Sequence, residues 1–396
     1  MVSPDVSKAV GLILAGNPAF FKFISANETG DTGGHQCGFY VPKDFQTIAF
    51  GSPCEKGENR DLRLKIVWNG TFETDSRLVY YGKGTRNESR ITNFGRGFEY
   101  LKSEYTGGLV VFVKVDVTIY DTYVFNSEEE IDEFLGGLGL GPADANHLIR
   151  FDGKSGVPME DEAFKKYISG LKVDFPSSEE MSAAARQIED AVYDHSEYVK
   201  EKPDAKLLSW TNVEYRLFRT IENDRLGNLV SSGFPSVDDF LQKANQVLNR
   251  RKSRAGKSLE HQLAAIFKGN ELAFDEQVVT EGNKRPDFIF PSGKAYHDKT
   301  FPDGGLVFLA AKTTCKDRWR QILVEANRFK GKTKYLCTLQ QGMSETQMDE
   351  MASEDVQLVI PKPYIKDYPS DRQKEILTLE DFVAFVRGTQ RGERTI

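Results

Sequence analysis

Residues 285–329 read RPDFIFPSGKAYHDKTFPDGGLVFLAAKTTCKDRWRQILVEANRF, and the order of elements within them decides the fold. Pro286 and Asp287 head a short apolar run, Phe288-Ile289-Phe290. A second run, Leu306 to Ala311, delivers Lys312. Both runs are β-prone and bounded by Pro, Gly and Asp, so they read as two strands of a half- or fully buried sheet. After Lys312 the period changes. Trp319, Ile322, Leu323 and Ala326 fall at i, i+3, i+4 and i+7, which predicts a helix with Glu325 inside it, beside the apolar stripe.

Asp, Lys and Glu on adjacent elements are the parts that metal-assisted phosphodiester hydrolysis needs. Two carboxylates, Asp287 and Glu325, would hold a hard divalent cation such as Mg²⁺, which clamps the scissile phosphate and acidifies an attacking water. Lys312 would stabilise charge developing on the phosphorus oxygens. The pattern resembles that of the PD-(D/E)XK nucleases with one departure: the second acid of that motif belongs at position 310, which is Ala310. Glu325, thirteen positions after Lys312, is the candidate to replace it. A Pro-Asp pair is also a common turn, and spacing alone leaves open a capping Lys312 and a solvated Glu325.

The strings AKTTCKDRWRQILVEA (311–326), GNKRPDFIFPS (282–292) and AYHD (295–298) resemble the catalytic domain of EcoRII-type (type IIE) restriction endonucleases. That family uses the migrated-glutamate form of the motif. The resemblance therefore implies catalytic roles for Asp287, Lys312 and Glu325, with Asp287 and Glu325 as metal ligands. It adds an upstream helical acid, Glu260 in GKSLEHQLAAIF (256–267). Tyr296 and His297 read as structural or peripheral, since a metal mechanism needs no histidine base.

A chain of 396 residues expects two or three domains, each able to bury its own core. No apolar run approaches the roughly 20 residues of a membrane helix, and the opening MVSPDVSKAVGLILAG lacks a basic n-region and a long apolar core. Cys37, Cys54, Cys315 and Cys337 are scattered without a CxxC, which points away from zinc and a disulfide framework and toward a reducing bacterial cytoplasm. The net charge of −7 disfavours nucleic acid only at face value, because a DNA-binding face needs local positive charge. Arg250, Arg251, Lys252, Arg254 and Lys257 form one basic cluster and the residues from Lys312 to Lys332 a second. Acids gather elsewhere, at Glu128-Glu129-Glu130 and Glu160-Asp161-Glu162. The expectation is a basic cleft on an acidic body.

From about Phe20 to Asp121 the chain is β-rich. Runs at Val41, Ile48 and Phe50, then 62–68, 78–81 and 109–115, are separated by Gly- and Asn-rich turns, which predicts a small barrel or sandwich. Two polar loops stand out, SANETGDTGGHQCGFYVP (25–42) and GKGTRNESRITNFGRG (82–97). They resemble the DNA-contacting loops of the family's N-terminal effector domain, a B3-like pseudobarrel that holds a second copy of the target site. The resemblance implies effector-DNA contacts by His35, Tyr40, Lys83, Arg86, Glu88 and Arg90. Ser89 stands where a relative carries lysine, and Gly84 is inserted after Lys83. The glycines of GGLGLGPAD (136–144) read as a loop.

The expected organisation is a two-domain α+β chain: a β-rich pseudobarrel over 1–165, a hinge within 153–175, and an α/β restriction-endonuclease-like domain over 176–396. Ser178 is the expected N-cap of the first helix of the second domain. AGKS at 255–258 is not a phosphate-binding loop, because no strand leads into it and Arg251 stands where a glycine is needed. Lys316-Asp317-Arg318 supplies donor, acceptor and donor, enough to read a GG/CC half-site at the head of the catalytic helix. Two copies about a two-fold axis would read a palindrome, hence a homodimer. Tyr215 matches an aromatic near the family's flipped-base pocket, although a core aromatic on a helix reads equally well.

The function expected from all this is Mg²⁺-dependent double-strand cleavage at a CC/GG-flanked site such as CCWGG. It would be repressed until the effector domain binds another copy, and a cognate DNA methyltransferase would work beside it. A catalytically inactive sequence-specific repressor is the alternative; a nuclease for branched or damaged DNA would not need the triplet or a second reading domain.

Overall fold

Among the residues that the computed structural model describes (3–30, 38–150 and 157–393), seven strands form one N-terminal sheet. They are β1 (Ala19–Phe23), β2 (Phe39–Val41), β3 (Asn59–Trp68), β4 (Phe72–Tyr81), β5 (Glu88–Thr92), β6 (Leu109–Lys114) and β7 (Ile119–Phe125), in the order β1-β6-β7-β3-β4-β5-β2. The long β3–β4 hairpin turns through a three-residue loop between Trp68 and Phe72, with Asn69 and Gly70 at positive φ, a region these two residue types tolerate. Leu64, Ile66 and Trp68 alternate inward along β3 while Arg63 and Lys65 stay outside. The sheet curls. Phe20 of edge strand β1 and Phe39 of the opposite edge strand β2 both pack on Phe112 of β6, at centroid distances of 5.0 and 5.6 Å. The pseudobarrel expectation holds, with one correction. Ile48 and Phe50 lie on a helix, Lys43–Phe50, because Phe45 and Ala49 share its buried face at helical spacing.

The Glu128–Leu138 helix packs Ile131, Phe134 and Leu138 on Phe21, Leu109 and Val111, the sheet face opposite Phe20 and Phe112, with Ser127 capping it by accepting the Glu130 N–H. Gly136 and Gly137 belong to this helix, so only the later part of the glycine-rich stretch is the loop expected from sequence. The helix ends where Gly139 takes a left-handed φ of 66°. Farther on, the Pro158–Gly170 helix buries Phe164 and Ile168 in one cluster with Met181, Val213 and Phe218. The N-cap of the Ser178–Tyr193 helix is Ser177, one residue earlier than expected, because its hydroxyl meets the Glu180 N–H in a capping box.

The second sheet contains β8 (Asp275–Glu276), β9 (Phe288–Phe290), β10 (Val307–Lys312), β11 (Lys334–Thr338) and β12 (Val356–Val359), ordered β12-β11-β10-β9-β8. β10, β11 and β12 are parallel, and β9 runs antiparallel to β10. Both faces of β9, β10 and β11 are covered, so these strands are almost wholly buried, whereas the edge strand β8 is exposed. Val307, Leu309 and Ala311 pack with Leu259, Leu263 and Phe267 of the Val237–Gly269 helix, whereas Phe308 and Ala310 pack with Trp319 and Ile322. The AGKS tetrapeptide lies inside that long helix and not in the strand-to-helix loop that a P-loop requires, in line with the sequence reading. Among the described residues no helix is long and apolar enough to cross a membrane.

The helix expected after Lys312 is not α-helical. Arg318–Val324 is a 3₁₀ segment, and Glu325 follows it in extended conformation, with Ala326 at φ 51°. Trp319, Ile322 and Ala326 are buried as their spacing requires, but the tighter 3₁₀ winding ends before Glu325.

Candidate active site

Strand register carries the first two residues to one end of the sheet. Phe288 lies opposite Leu309, so Asp287 sits beside the last residues of β10, and its Oδ2 accepts the Ala311 N–H at 2.8 Å. Lys312, the final residue of β10, follows by parity on the face of Phe308 and Ala310. Ala310 stands where the common motif carries an acid. It is fully buried in the cluster that holds Trp319 and Ile322, so an acid there would lie in an apolar core, and Glu325 instead arrives from the 3₁₀ segment packed on that face.

Glu260 approaches from the Val237–Gly269 helix. Its Oε2 accepts a hydrogen bond from Lys257 at 2.8 Å. Gln277, which sequence reasoning missed, bridges the acids: its Nε2 donates to Glu260 Oε2 at 3.1 Å and to Asp287 Oδ1 at 3.0 Å. No motif marked Gln277. Its backbone does, because φ is 53°, unusual for a non-glycine residue. Burial, reinforced by the charge of Asp287, holds the carboxyls of Glu260 and Glu325 above the usual carboxylate range, against the opposing pull of Lys257 on the first and Lys312 on the second.

Among the described residues no three His, Cys, Asp or Glu side chains already converge as a metal cluster. The donor chemistry nonetheless fits a hard divalent cation. It consists of carboxylate oxygens, two of them on groups whose ionised forms are disfavoured by burial and by a like charge, a penalty a cation relieves. The Gln277→Leu variant should therefore lose about 1–2 kcal/mol of stability in EDTA, through two carboxylates left without their shared donor. Millimolar Mg²⁺ should restore part of that loss. A melting temperature equal to wild type in EDTA would sink this expectation.

The Lys316-Asp317-Arg318 triplet is covered. Glu128, on the first turn of its helix and 3% exposed, turns Oε2 toward three successive main-chain N–H groups: Lys316 at 3.2 Å, Asp317 at 2.9 Å and Arg318 at 2.9 Å. Its Oε1 accepts from Arg318 Nε at 2.7 Å. Asp132, one turn on, accepts from Thr314 at 2.7 Å and pairs with Arg318, while Lys316 donates to the Asn126 side-chain oxygen. Burial brings the Lys316 ammonium down to about 8.

The expectation of acids held apart from a basic cleft is thus overturned: the acids of the Glu128–Leu138 helix sit on the triplet itself. The other basic cluster is also engaged. Arg251 pairs with Glu222 and bonds the Gly137 carbonyl, Arg250 stacks on Phe175 at 3.8 Å, and Arg254 lies buried 3.9 Å over the ring of Tyr215. Arg250, Arg254 and Lys257 fall at i, i+4 and i+7 on one helix face with Arg251 beside it, yet each is taken up by a neighbour, Lys257 by Glu260, so a basic face in sequence is not a free one. Glu160, assigned to the acidic body, is fully buried and forms a two-pronged pair with Arg216 at 2.6 and 2.7 Å.

Tyr215 is 3% exposed and packs against Gly141 of the N-terminal module, where an added Cβ would fall 2.6 Å from the ring. On the effector side, Tyr40 of β2 lies directly opposite Arg90 of β5, and Arg90 pairs with Glu88 at 3.3 Å. Burial, with help from Glu88, raises the Tyr40 phenol. Arg86 stacks 5.4 Å from the Tyr81 ring centroid, and the Lys83 N–H donates to Asn59 Oδ1 at 3.1 Å. These residues gather at one end of the curled sheet; Ser89 points the other way, buried and bonded to Gln46 at 2.6 Å. His35 lies outside the described residues.

The sequence relatives define a site-specific deoxyribonuclease. Residues 218–383 match the family model described as EcoRII C terminal, and residues 15–143 match that of restriction endonuclease EcoRII, N-terminal. The chain is 37% identical over 408 residues to the type II restriction enzyme EcoRII of Escherichia coli, covering 93% of this chain and 94% of that one. It therefore belongs to the EcoRII family of type II restriction endonucleases. The type II restriction enzyme SsoII of Shigella sonnei is 27% identical over 223 residues, covering 49% of this chain and 72% of that one. Two solved structures also align: metal-depleted Ecl18kI with uncleaved, modified DNA (TM-score 0.46, 21% identity, 59% of this chain, 85% of that one) and a PspGI–substrate DNA complex (TM-score 0.44, 14% identity, 55% and 94%). Family membership implies a divalent metal cofactor.

Proposed function

We propose that this restriction endonuclease makes Mg²⁺-dependent double-strand breaks at a CC/GG-flanked site, CCWGG, and is switched on by a second copy of the site bound to its N-terminal module. In this reading Asp287 and Glu325 hold the cation, Glu260 assists, and Lys312 stabilises the transition state. A divalent cation bound there supplies positive charge at the scissile phosphate and a more acidic attacking water. Lys316, Asp317 and Arg318 read the half-site, with Tyr215 beside a base pocket; His35, Tyr40, Lys83, Arg86, Glu88 and Arg90 hold the effector copy. The acting form is a homodimer, one active site per strand, working with a cognate DNA methyltransferase. The pseudobarrel expected over 1–165 and the catalytic domain over 176–396 would move about a hinge within 153–175, at a point before the Pro158–Gly170 helix, because Phe164 and Ile168 of that helix pack with Met181 and Phe218 and move with the second domain.

The observation that carries regulation is the Glu128 carboxylate on the triplet. Donors spent on Glu128, Asp132 and Asn126 cannot meet bases, so DNA must displace the N-terminal module first. The seam also carries direct polar bonds, with Gln340 donating to the Gly107 carbonyl at 2.8 Å and Gln341 to that of Pro142 at 2.7 Å, beside the packing of Tyr215 on Gly141; water can replace the polar part when the modules separate.

The test is digestion of multi-site DNA with Mg²⁺ or EDTA, followed by sequencing of the ends. Discrete Mg²⁺-dependent fragments ending at CCWGG are expected. Specific binding without cleavage under any divalent ion would replace this proposal with the repressor reading.

A further inference from the structure

Glu325 lies on a segment with little regular backbone bonding, yet its carbonyls are held by two lysines. Lys334 opens β11 and is 4% exposed. Its ammonium donates to the carbonyls of Ile322 at 3.1 Å, Leu323 at 2.7 Å and Glu325 at 2.6 Å. All three N–H groups of a lysine are thereby used. The remaining carbonyl of the run, that of Val324, accepts from Lys284 at 2.9 Å. Every carbonyl from 322 to 325 thus meets an ammonium; Ile322 also accepts the Glu325 N–H at 3.1 Å, and the lysines supply donors to the last carbonyls of the turn, which are partially negative.

The placement links the acid to the sheet. Lys334 is anchored in β11, the parallel neighbour of β10, and Lys312 ends β10 opposite Thr338. Lys284 lies three residues before Asp287. The two lysines therefore tie the Glu325 backbone to the strand beside Lys312 and to the segment that delivers Asp287. They contact main-chain carbonyls, leaving the Glu325 carboxylate free for another partner. In the usual form of the motif the acid and lysine share one strand and need no such tie; here the acid has left the strand.

We propose that Lys334, with Lys284 beside it, is a positioning residue that aims the Glu325 carboxylate at the cation site. This rests on the reading of Glu325 as a metal ligand. Lys334→Met keeps the length of the stem and removes the donors, and Lys334→Arg keeps charge and donors. Calorimetric titration of Mn²⁺ into the full chain should show Lys334→Met binding about tenfold more weakly than wild type, the lower end of the loss typical when a group supporting a metal ligand is removed. Lys334→Arg should recover part of that affinity. With Mg²⁺ and site DNA, kcat should fall while KM and metal-free DNA binding hold.

Glu325→Gln, measured beside them, separates the two claims. If Glu325→Gln weakens Mn²⁺ binding and a folded Lys334→Met does not, the positioning role is overturned and the ligand reading stands. If neither weakens binding, both fall. Should Lys334→Met fail to fold by circular dichroism, Lys284→Met, which removes only the Val324 bond, decides: a smaller loss of Mn²⁺ affinity supports the role, and unchanged affinity overturns it.

Discussion

Lys312→Met should abolish cleavage while leaving DNA binding almost intact. The methionine keeps the aliphatic stem at the end of β10, where the lysine is only half-buried, so the sheet has no cause to unravel. What disappears is a positive charge in position to meet the phosphate oxygens as they gain charge. Loss of one preorganised transition-state donor costs up to roughly a thousandfold, about 4 kcal/mol, and an ammonium acting on a dianionic phosphorane belongs at or beyond that limit. Single-turnover cleavage of a site-bearing duplex reads the rate, and a gel shift in EDTA reads binding. A variant cleaving within tenfold of wild type would remove Lys312 from the catalytic set.

The second large effect runs in the opposite direction. Glu128→Ala should free the enzyme from its need for a second site. It removes the acceptor for three main-chain N–H groups and for Arg318 Nε, contacts between the two modules that exist only while the triplet is covered. Truncating one partner of a buried, charged hydrogen-bond set costs about 2–5 kcal/mol; the lower half of that range, about 2–3 kcal/mol, suits a seam whose donors regain water on opening. The open fraction would then rise by roughly 30–150-fold. The measurement is the cleavage rate on a plasmid with one site, with and without a duplex oligonucleotide carrying another. The variant should cut the plasmid alone as fast as wild type does with the oligonucleotide. Exposed Glu129→Ala is the control and should behave as wild type. Continued dependence on the oligonucleotide in Glu128→Ala would show that the module represses by other contacts.

Much of the fold was legible because its signals are local. β9 and β10 were readable from apolar runs bounded by breakers, and their parity places Asp287 beside the end of β10 and Lys312 on the face of Ala310. The runs at 62–68 and 78–81 were readable between Gly- and Asn-rich turns, while their pairing as the β3–β4 hairpin emerged from the structure. Errors arose where two periods compete over few residues. Ile48 and Phe50 satisfy a period of two, and Phe45 with Ala49 a period of four; burial chose the helix. At Trp319–Ala326 the apolar spacing marked the buried side chains, but spacing does not distinguish α from 3₁₀ winding over a single short segment.

The sequence by itself put forward a chemistry, an acid, a lysine and a displaced acid around a short sheet with a donor–acceptor–donor triplet next to them, and the family resemblance, not spacing, singled those residues out. Residue type and spacing along one or two elements are local properties. The tertiary structure alone decided what each group faces. Gln277 bridges Glu260 and Asp287 because a left-handed residue after β8 turns its amide inward. Glu128 covers a triplet nearly two hundred residues away. Charge is visible in a sequence, but the partner that neutralises it is chosen by packing between modules, and no period along the chain encodes that distance.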